Sequence, residues 1–281
     1  VESNDQFMHD LERLTKTFHQ TNAGAMRQIV AAPCQPMNCS ENTFIEAAVF
    51  AREHGLQLHT HMGEGESEAM LARYGKRSLA WLEDIGFVGD DVWVAHAWDV
   101  ELTEIDRLAD TQTGVSHCPL PVMLVGEGVT DVSAMLSAGV RVGLGVDGCA
   151  SNDASNLAEC IRHAFLLQCL VATERGYAAP DPRDYLRVAT QGGASLLGRK
   201  DLGMLQPGAC ADLFVVRQDK VEHTGAWHAP ESLPAKLGLA SDVHLTMIDG
   251  RIVWRDNQFP GYDEAQLAAA AHAQFSELLL S

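Results

Sequence analysis

The sequence has few basic side chains for the number of its acidic ones. It carries 20 lysine and arginine residues against 38 aspartate and glutamate residues, a formal net charge of −18 over 281 residues. Nucleic acids and anionic membrane surfaces are both bound through clustered lysine and arginine. We therefore expect neither of them as a partner, and we expect a small-molecule ligand instead.

Long hydrophobic runs and paired cysteines are also absent. No apolar stretch reaches the ~18 residues of a membrane span, and the first residues lack a signal-peptide pattern. The seven cysteines show no Cys-x-x-Cys spacing, and several lie within apolar segments. We therefore expect a cytoplasmic protein without disulfides. Because Val1 leads into a helix with no strand before it, we also expect the natural chain to extend upstream.

The first two thirds of the chain alternate short apolar runs with helical patterns. The predicted strands are 28–32, 56–61, 92–95, 114–116 and 140–146, and the predicted helices after them are 41–53, 66–84, 101–110, 132–138 and 156–174. A complete eight-fold β/α barrel takes about 200–250 residues, which is more than these alternations supply. The sequence therefore predicts either an open doubly wound sheet or a barrel from which three βα units are absent.

The pattern changes after about Arg199. Apolar runs at 211–216 and 245–254 indicate short strands, and Asp249-Gly250 within the second run is a hairpin signal. An amphipathic helix is predicted for 265–280. We therefore divide the chain into an α/β unit at 1–198 and a small β unit with a C-terminal helix at 199–281.

Four polar residues stand where successive apolar runs end: His61, His96, His117 and Asp147. Strands that are apolar throughout are typical of a buried parallel sheet, and in a β/α barrel their carboxyl ends point into one common pocket. Three imidazoles and a carboxylate at such a place, with Glu64 close after His61, are what a metal-assisted hydrolase needs. We therefore expect the active site here.

Local geometry refines this expectation. Alternation along a strand puts His59 and His61 on the same face. An aspartate that ends a buried strand is costly unless a cation or a donor satisfies it, so Asp147 is expected to bind metal or act in catalysis, with a helix N-cap as the alternative. For His117 the sequence allows two roles, a substrate contact or a hydrogen-bonded histidine of the core. Cys118 is not expected to pair with it as a nucleophile, because adjacent strand residues point to opposite faces.

Several motifs of this sequence resemble those of a known enzyme family. The segments HTHMGE, VAHAWD, SHCP and GLGVDGCASND resemble the deaminase and chlorohydrolase branch of the amidohydrolase superfamily, in the family's order. ADLFVV and MIDGRIVWRD resemble that family's small β-sandwich. Within the branch, APCQP, LHTHMGE and GLGVDGCASNDASNL are most similar to 8-oxoguanine deaminases, and triazine aminohydrolases and chlorohydrolases share most of these signatures.

The resemblance implies a (β/α)8 barrel of which the five predicted strands are the fourth to the eighth. It also implies one divalent metal, zinc first and iron as the alternative, with His61 and Asp147 as ligands. Two further ligands would come from a His-x-His on the first strand, which this sequence does not contain. His59-Thr60-His61 imitates that motif at a different place in the fold.

The resemblance also assigns roles to the other candidates. Glu64 would carry a proton to a ring nitrogen, and His96 and Asp147 would serve as acid and base. The proposed substrate contacts are Cys34, Gln35 and His117. Pro121-Val122 stand where many relatives have Ser-Asn, which makes the substrate less certain than the reaction type.

These roles imply hydrolytic deamination of a purine-like heterocycle of the 8-oxoguanine or guanine type, with release of ammonia. A triazine-type amino- or chlorohydrolase is the alternative within the enzymes. A different alternative is an inactive fragment that keeps the scaffold but lacks the first-strand His-x-His. A carrier on a doubly wound sheet is disfavoured, because no Gly-rich phosphate loop follows any strand. The resemblance also implies a homo-oligomer.

Overall fold

A computed structural model describes residues 2–126, 128–152, 154–239 and 243–280. The strands are β1 Val30–Ala31, β2 Gln57–Met62, β3 Val92–His96, β4 Gly114–His117, β5 Val142–Leu144, β6 Leu213–Val216, β7 Val243–Ile248 and β8 Arg251–Arg255. The α-helices are α1 Asn4–Phe18, α2 Glu41–His54, α3 Ser67–Tyr74, α4 Ser78–Asp84, α5 Leu102–Asp110, α6 Pro119–Val125, α7 Val132–Ala138, α8 Leu157–Arg175, α9 Pro182–Arg187, α10 Gly193–Leu196, α11 Leu233–Leu237 and α12 Glu264–Leu280.

Strands β1 to β5 form one parallel sheet in the order in which they occur in the chain. A doubly wound sheet reverses its strand order at a switch point, whereas consecutive order is that of neighbouring strands in a β/α barrel. Of the two architectures left open by the sequence, the consecutive order supports the barrel type. The protein is therefore a mixed α/β fold with a five-stranded parallel sheet of TIM-barrel type.

Burial alternates along β2, and this alternation determines which of its side chains face away from the core. Leu58, Thr60 and Met62 are buried, and the intervening His59 and His61 are only partly buried on the opposite face. The apolar face packs beneath the helices that cover the sheet, as period-two alternation requires. His59 and His61 therefore lie on the face of β2 that points away from this apolar packing.

Aromatic packing beneath α2 is dense. Phe44 is fully buried, and its ring meets Trp81 at 5.2 Å and Phe87 at 4.9 Å in edge-to-face contacts. Such contacts add about 0.5–1.5 kcal/mol to the burial itself. Helix α2 begins where the sequence predicts, because the Ser40 side chain accepts a hydrogen bond from the Thr43 amide.

Two predicted elements differ from the structure. The single helix expected over 66–84 is two helices, since Gly75 adopts a left-handed conformation (φ 69°) at the end of α3. Helix α6 occupies the segment after β4, for which the sequence predicts no helix. Its first residue is Pro119, which is favourable in the first turn of a helix because it needs no amide partner there.

The C-terminal part is a three-stranded antiparallel sheet in the order β6-β7-β8. The predicted hairpin is confirmed: β7 and β8 join through Asp249 and Gly250, whose φ values are 49° and 72°. Two positive φ values are what a two-residue primed turn requires. Helix α12 follows with its described side chains exposed. Among the described residues, no helix is both long and apolar enough to cross a membrane.

Candidate metal centre

Three side chains meet where β2 and β3 end. The Nδ1 atom of His61 lies 3.0 Å from Nε2 of His96, and the same Nε2 lies 3.0 Å from Oε1 of Glu64. His61 Nδ1 and Glu64 Oε1 are 4.0 Å apart. Within the described part of the chain, these three ligand atoms form a group in which all lie within 4.8 Å of one another.

Strand register and backbone contacts bring these side chains together. Met62 pairs with His96 in the sheet, so both strands end at the same level. The Gly63 carbonyl then accepts hydrogen bonds from the amides of Trp98 and Asp99, each at 3.0 Å. His96 itself is left-handed (φ 71°), a conformation rare for residues other than glycine and common at functional sites.

The two sequence-predicted residues after β1 contact different members of the cluster. Gln35 donates from Nε2 to Oε2 of Glu64 at 2.9 Å, and the Cys34 carbonyl accepts from the His61 amide at 3.0 Å. The hydrogen bond from His96 lowers the pKa of Glu64, against the opposing effect of burial, and Gln35 contributes in the same direction. Glu64 is therefore a carboxylate at neutral pH.

His117 lies at the end of β4 and is fully buried. No group of the described residues hydrogen-bonds either ring nitrogen, so the structure provides no protein partner for the hydrogen-bonded core histidine that the sequence left open. Burial, followed by the nearby His96, lowers the pKa of His117 to about 3. The imidazole is therefore neutral, and a bare buried polar group of this kind is unusual enough to indicate an additional partner.

Asp147 follows β5 and does not belong to the cluster of His61, Glu64 and His96. Its backbone is left-handed (φ 63°), and its Oδ1 accepts from the next amide, that of Gly148, at 2.6 Å. The structure thus brings together three of the four residues expected in the chemistry and leaves the predicted second ligand apart from them.

Cys118 is not suited to be a nucleophile. Burial raises the pKa of its thiol to about 12, with the charge of Asp147 as the next cause. Only the thiolate is reactive, so this thiol is inert at neutral pH.

His59 shares the face of His61 but not its cluster. It stacks on Trp93 with ring centroids 5.1 Å apart, and its Nδ1 donates to the Trp93 carbonyl at 3.1 Å, which leaves Nε2 without a proton. Burial lowers the pKa of His59 to about 4, so this imidazole is also neutral.

The cluster of His61, Glu64 and His96 contains donor atoms of the kinds that bind zinc. Ligand atoms around tetrahedral zinc, with bonds of about 2.0 Å, lie about 3.3 Å apart. The two separations of 3.0 Å lie close to that value, whereas the 4.0 Å between His61 Nδ1 and Glu64 Oε1 is wider than two ligand atoms of one tetrahedral zinc ion. Two imidazole nitrogens and one carboxylate oxygen also form a donor set that zinc prefers to magnesium or calcium.

Comparisons with known proteins agree with these features. The model of the amidohydrolase family matches residues 2–253. The chain is 55% identical over 278 residues to hydroxydechloroatrazine ethylaminohydrolase of Pseudomonas sp. strain ADP, a match that covers 99% of this chain and 58% of that protein. It is 37% identical over 284 residues to 8-oxoguanine deaminase of Pseudomonas aeruginosa, covering 99% of this chain and 62% of that protein.

Solved structures show the same relationship. Atrazine chlorohydrolase TrzN from Arthrobacter aurescens TC1, complexed with zinc, superposes with a TM-score of 0.91 at 29% identity, over 97% of this chain and 60% of that one. A zinc-bound adenosine deaminase from Xanthomonas campestris gives 0.93 at 26% identity, over 100% of this chain and 63% of that one.

These matches bear on the choice between the two substrate classes. They favour the triazine-type alternative over the 8-oxoguanine interpretation that the motifs placed first. The chain spans about three fifths of the length of these relatives. It belongs to the amidohydrolase family, and the proteins it resembles include an ethylaminohydrolase, deaminases and a chlorohydrolase.

Proposed function

We propose that this chain supplies the metal centre of a hydrolase that removes an alkylamino group from a hydroxylated triazine ring. The observation that carries the proposal is the 55% identity to an ethylaminohydrolase over 99% of the chain. The cluster of His61, Glu64 and His96 supports it, because this cluster provides a metal ligand together with groups that can transfer a proton.

The five parallel strands would be the fourth to the eighth of a (β/α)8 barrel. Their consecutive order supports this, as does the superposition on two zinc-bound hydrolases. Residues 1–198 would then form the barrel part, and 199–281 the small β unit with its helix.

We infer that His61 and Asp147 hold the metal, with zinc favoured by the donor set. When bound, the metal activates water for attack on an electron-poor ring carbon. Asp147 lies outside the cluster of the other three residues, so its role as a ligand rests on the motif that contains it.

Proton transfer falls to the remaining residues of the cluster. His96 and Asp147 would orient the attacking water and take its proton. Glu64, 3.0 Å from His96, would receive that proton and pass it to the ring nitrogen beside the attacked carbon. A C–O bond forms as the ring nitrogen takes the proton; this proton then passes from the ring nitrogen to the amine nitrogen, the C–N bond breaks, and the neutral amine leaves. Gln35 holds the second oxygen of Glu64, which fixes the direction of the carboxylate.

Deamination of 8-oxoguanine is the second candidate, favoured by the 37% identity to that deaminase. In either reaction Cys34, Gln35 and His117 are proposed as substrate contacts. The bare nitrogens of His117 support this, since a ring substrate can supply the missing partner.

An assay of the released amine separates the two candidates. The chain is tested alone and as a chimaera that adds the first three βα units of the ethylaminohydrolase, where the family carries its His-x-His. We expect the zinc-loaded chimaera to release ethylamine from hydroxydechloroatrazine. Ammonia from 8-oxoguanine with no ethylamine would establish the second candidate instead. Turnover in the chimaera but not in the chain alone would identify the chain by itself as the inactive form.

Glu64→Gln in the chimaera tests the proton transfer. The amide keeps the size of the side chain but cannot accept the proton, so we expect kcat to fall by about 10²–10⁴-fold. Zinc content, measured by atomic absorption, should stay near that of the parent. Glu68→Gln is the matched control, since Glu68 is exposed on α3 and undergoes the same change of charge. Parent-like turnover in Glu64→Gln would refute the assignment.

A further inference from the structure

Glu66 is a buried carboxylate that the sequence did not single out. It is only 8% exposed, and both of its oxygens are occupied. Oε1 accepts from the Gly63 amide at 2.8 Å and from the Ser78 hydroxyl, and Oε2 accepts from the Glu64 amide at 2.7 Å. Burying a carboxylate is costly unless donors satisfy it, and these three donors do so.

The contacts of Glu66 are directed away from its own helix. Glu66 stands at the N-cap position of α3, but its side chain makes no capping hydrogen bond there. It turns back to the two amides of the turn that follows β2. One of these amides is that of Glu64, so the carboxylate of Glu66 holds the backbone from which the Glu64 side chain projects.

The residue before Ser78 anchors the turn after β3. Arg77, next to Ser78, donates to the Asp99 carbonyl and forms a two-pronged ion pair with Glu104, with Nη2 to Oε2 at 2.9 Å. Asp99 lies in the turn that follows His96, and its amide donates to Gly63. The turns that carry Glu64 and His96 are therefore both tied to the start of α4.

We propose that Glu66 is a positioning residue that sets the direction of Glu64 toward His96 and the metal. The inference rests on the proposed function of Glu64. Among the described residues, no hydrogen bond joins Glu66 to His61 or His96, so Glu66 acts through the backbone of Gly63 and Glu64. Loss of partners that orient a metal site typically lowers metal affinity or activity by about 10–100-fold.

Glu66→Gln in this chain tests the proposal. Glutamine has the same size, but its amide nitrogen cannot accept from a backbone amide, so at least one of the three hydrogen bonds is lost. Because Glu66 holds the turn that begins two residues after the proposed ligand His61, we expect the affinity for Zn²⁺ alone, from calorimetry, to fall by about tenfold or more, whereas Glu64→Gln leaves that turn in place. We also expect a changed visible spectrum of the Co²⁺-loaded chain and faster hydrogen exchange of the Glu64 amide relative to the Val115 amide in β4.

Glu68→Gln is the matched control, with the same change of charge on the same helix, and it should stay within about twofold of the parent. Ser78→Ala removes one donor and leaves Glu66 intact, so it should produce a smaller loss in the same direction. It also decides the matter if Glu66→Gln does not fold, because parent-like zinc affinity and exchange in Ser78→Ala would then overturn the proposal.

The two proposals fail in different ways. If Glu66→Gln matches Glu68→Gln in zinc affinity, cobalt spectrum and Glu64 exchange, the positioning role is wrong. If Glu64→Gln keeps parent turnover, the proposed function of Glu64 is wrong whatever Glu66 does.

Discussion

The contact between the two turns that carry Glu64 and His96 can be tested at one glycine. Gly63 has φ 71°, and a Cβ added there would lie 2.9 Å from the Cα of Ala97. Gly75 has nearly the same backbone conformation, φ 69°, but a Cβ there would meet nothing within 4 Å. Gly63→Ala and Gly75→Ala therefore differ in the collision and share the conformational strain.

The magnitudes follow from that difference. A left-handed conformation costs alanine roughly 1–2 kcal/mol, and both variants bear this cost. The collision at Ala97 is with backbone, which cannot rotate away, and overpacking of this kind adds about 1–3 kcal/mol. We expect the free energy of unfolding to fall by about 1–2 kcal/mol in Gly75→Ala and by about 2–5 kcal/mol in Gly63→Ala.

Urea unfolding followed by circular dichroism measures both values, and zinc calorimetry adds the functional readout. Because Gly63 accepts hydrogen bonds from Trp98 and Asp99, a displaced turn should separate Glu64 from His96. The same displacement reaches the proposed ligand His61, two residues before Gly63, so zinc affinity should fall in Gly63→Ala and stay at the parent value in Gly75→Ala. Equal destabilisation in the two variants, with equal zinc affinity, would refute the claim that the turns are locked together.

Two further variants test stability elsewhere. Arg141 donates to the carbonyls of Asp90, Val92, Gln112 and Ser195. In urea unfolding, Arg141→Met should lower the free energy of unfolding by about 1–3 kcal/mol, and the control Arg13→Met, at an exposed position, should change it by no more than about 0.5 kcal/mol. Equal values in the two variants would contradict a stabilising role of the four hydrogen bonds of Arg141. For His117, the imidazole has a pKa of ~6.5 in the unfolded chain and about 3 in the folded protein. Below pH ~6.5 only the unfolded chain binds this proton, so the stability of the folded protein is full above pH ~6.5 and falls as the pH is lowered. Between pH ~6.5 and ~4.5 the loss is up to about 2.7 kcal/mol. His117→Leu should flatten this dependence of stability on pH, whereas His272→Gln, on the exposed helix α12, should keep it. An unchanged slope in His117→Leu would disprove that His117 is buried in its neutral form.

Much of the fold could be read from local patterns. The alternation in 57–62 predicts a strand with one apolar face, and it places His59 and His61 together on the other. Asp249-Gly250 predicts the hairpin, because few other residue pairs accept two positive φ values. Such signals lie within a few residues of one another, so the sequence carries them in full.

Other features depend on which elements become neighbours. The strand order of the sheet decides between a barrel and a doubly wound fold, and alternating strands and helices are compatible with both. The cluster at the metal centre joins His61 to His96, which is 35 residues away, and leaves Asp147 outside. The sequence predicted these residues as one group and could not rank their separations.

The chain by itself therefore determined the short-range outcome: which segments are strands, which side chains face out of the core, and where polar groups end buried runs. Only the tertiary structure decided that Glu66 is satisfied by the amides before it and by Ser78, 12 residues away. The reason is physical. The hydrophobic periodicity of a segment depends only on residues within that segment. The donors around a buried carboxylate come from segments that are distant in the sequence, and only the folded structure brings them close.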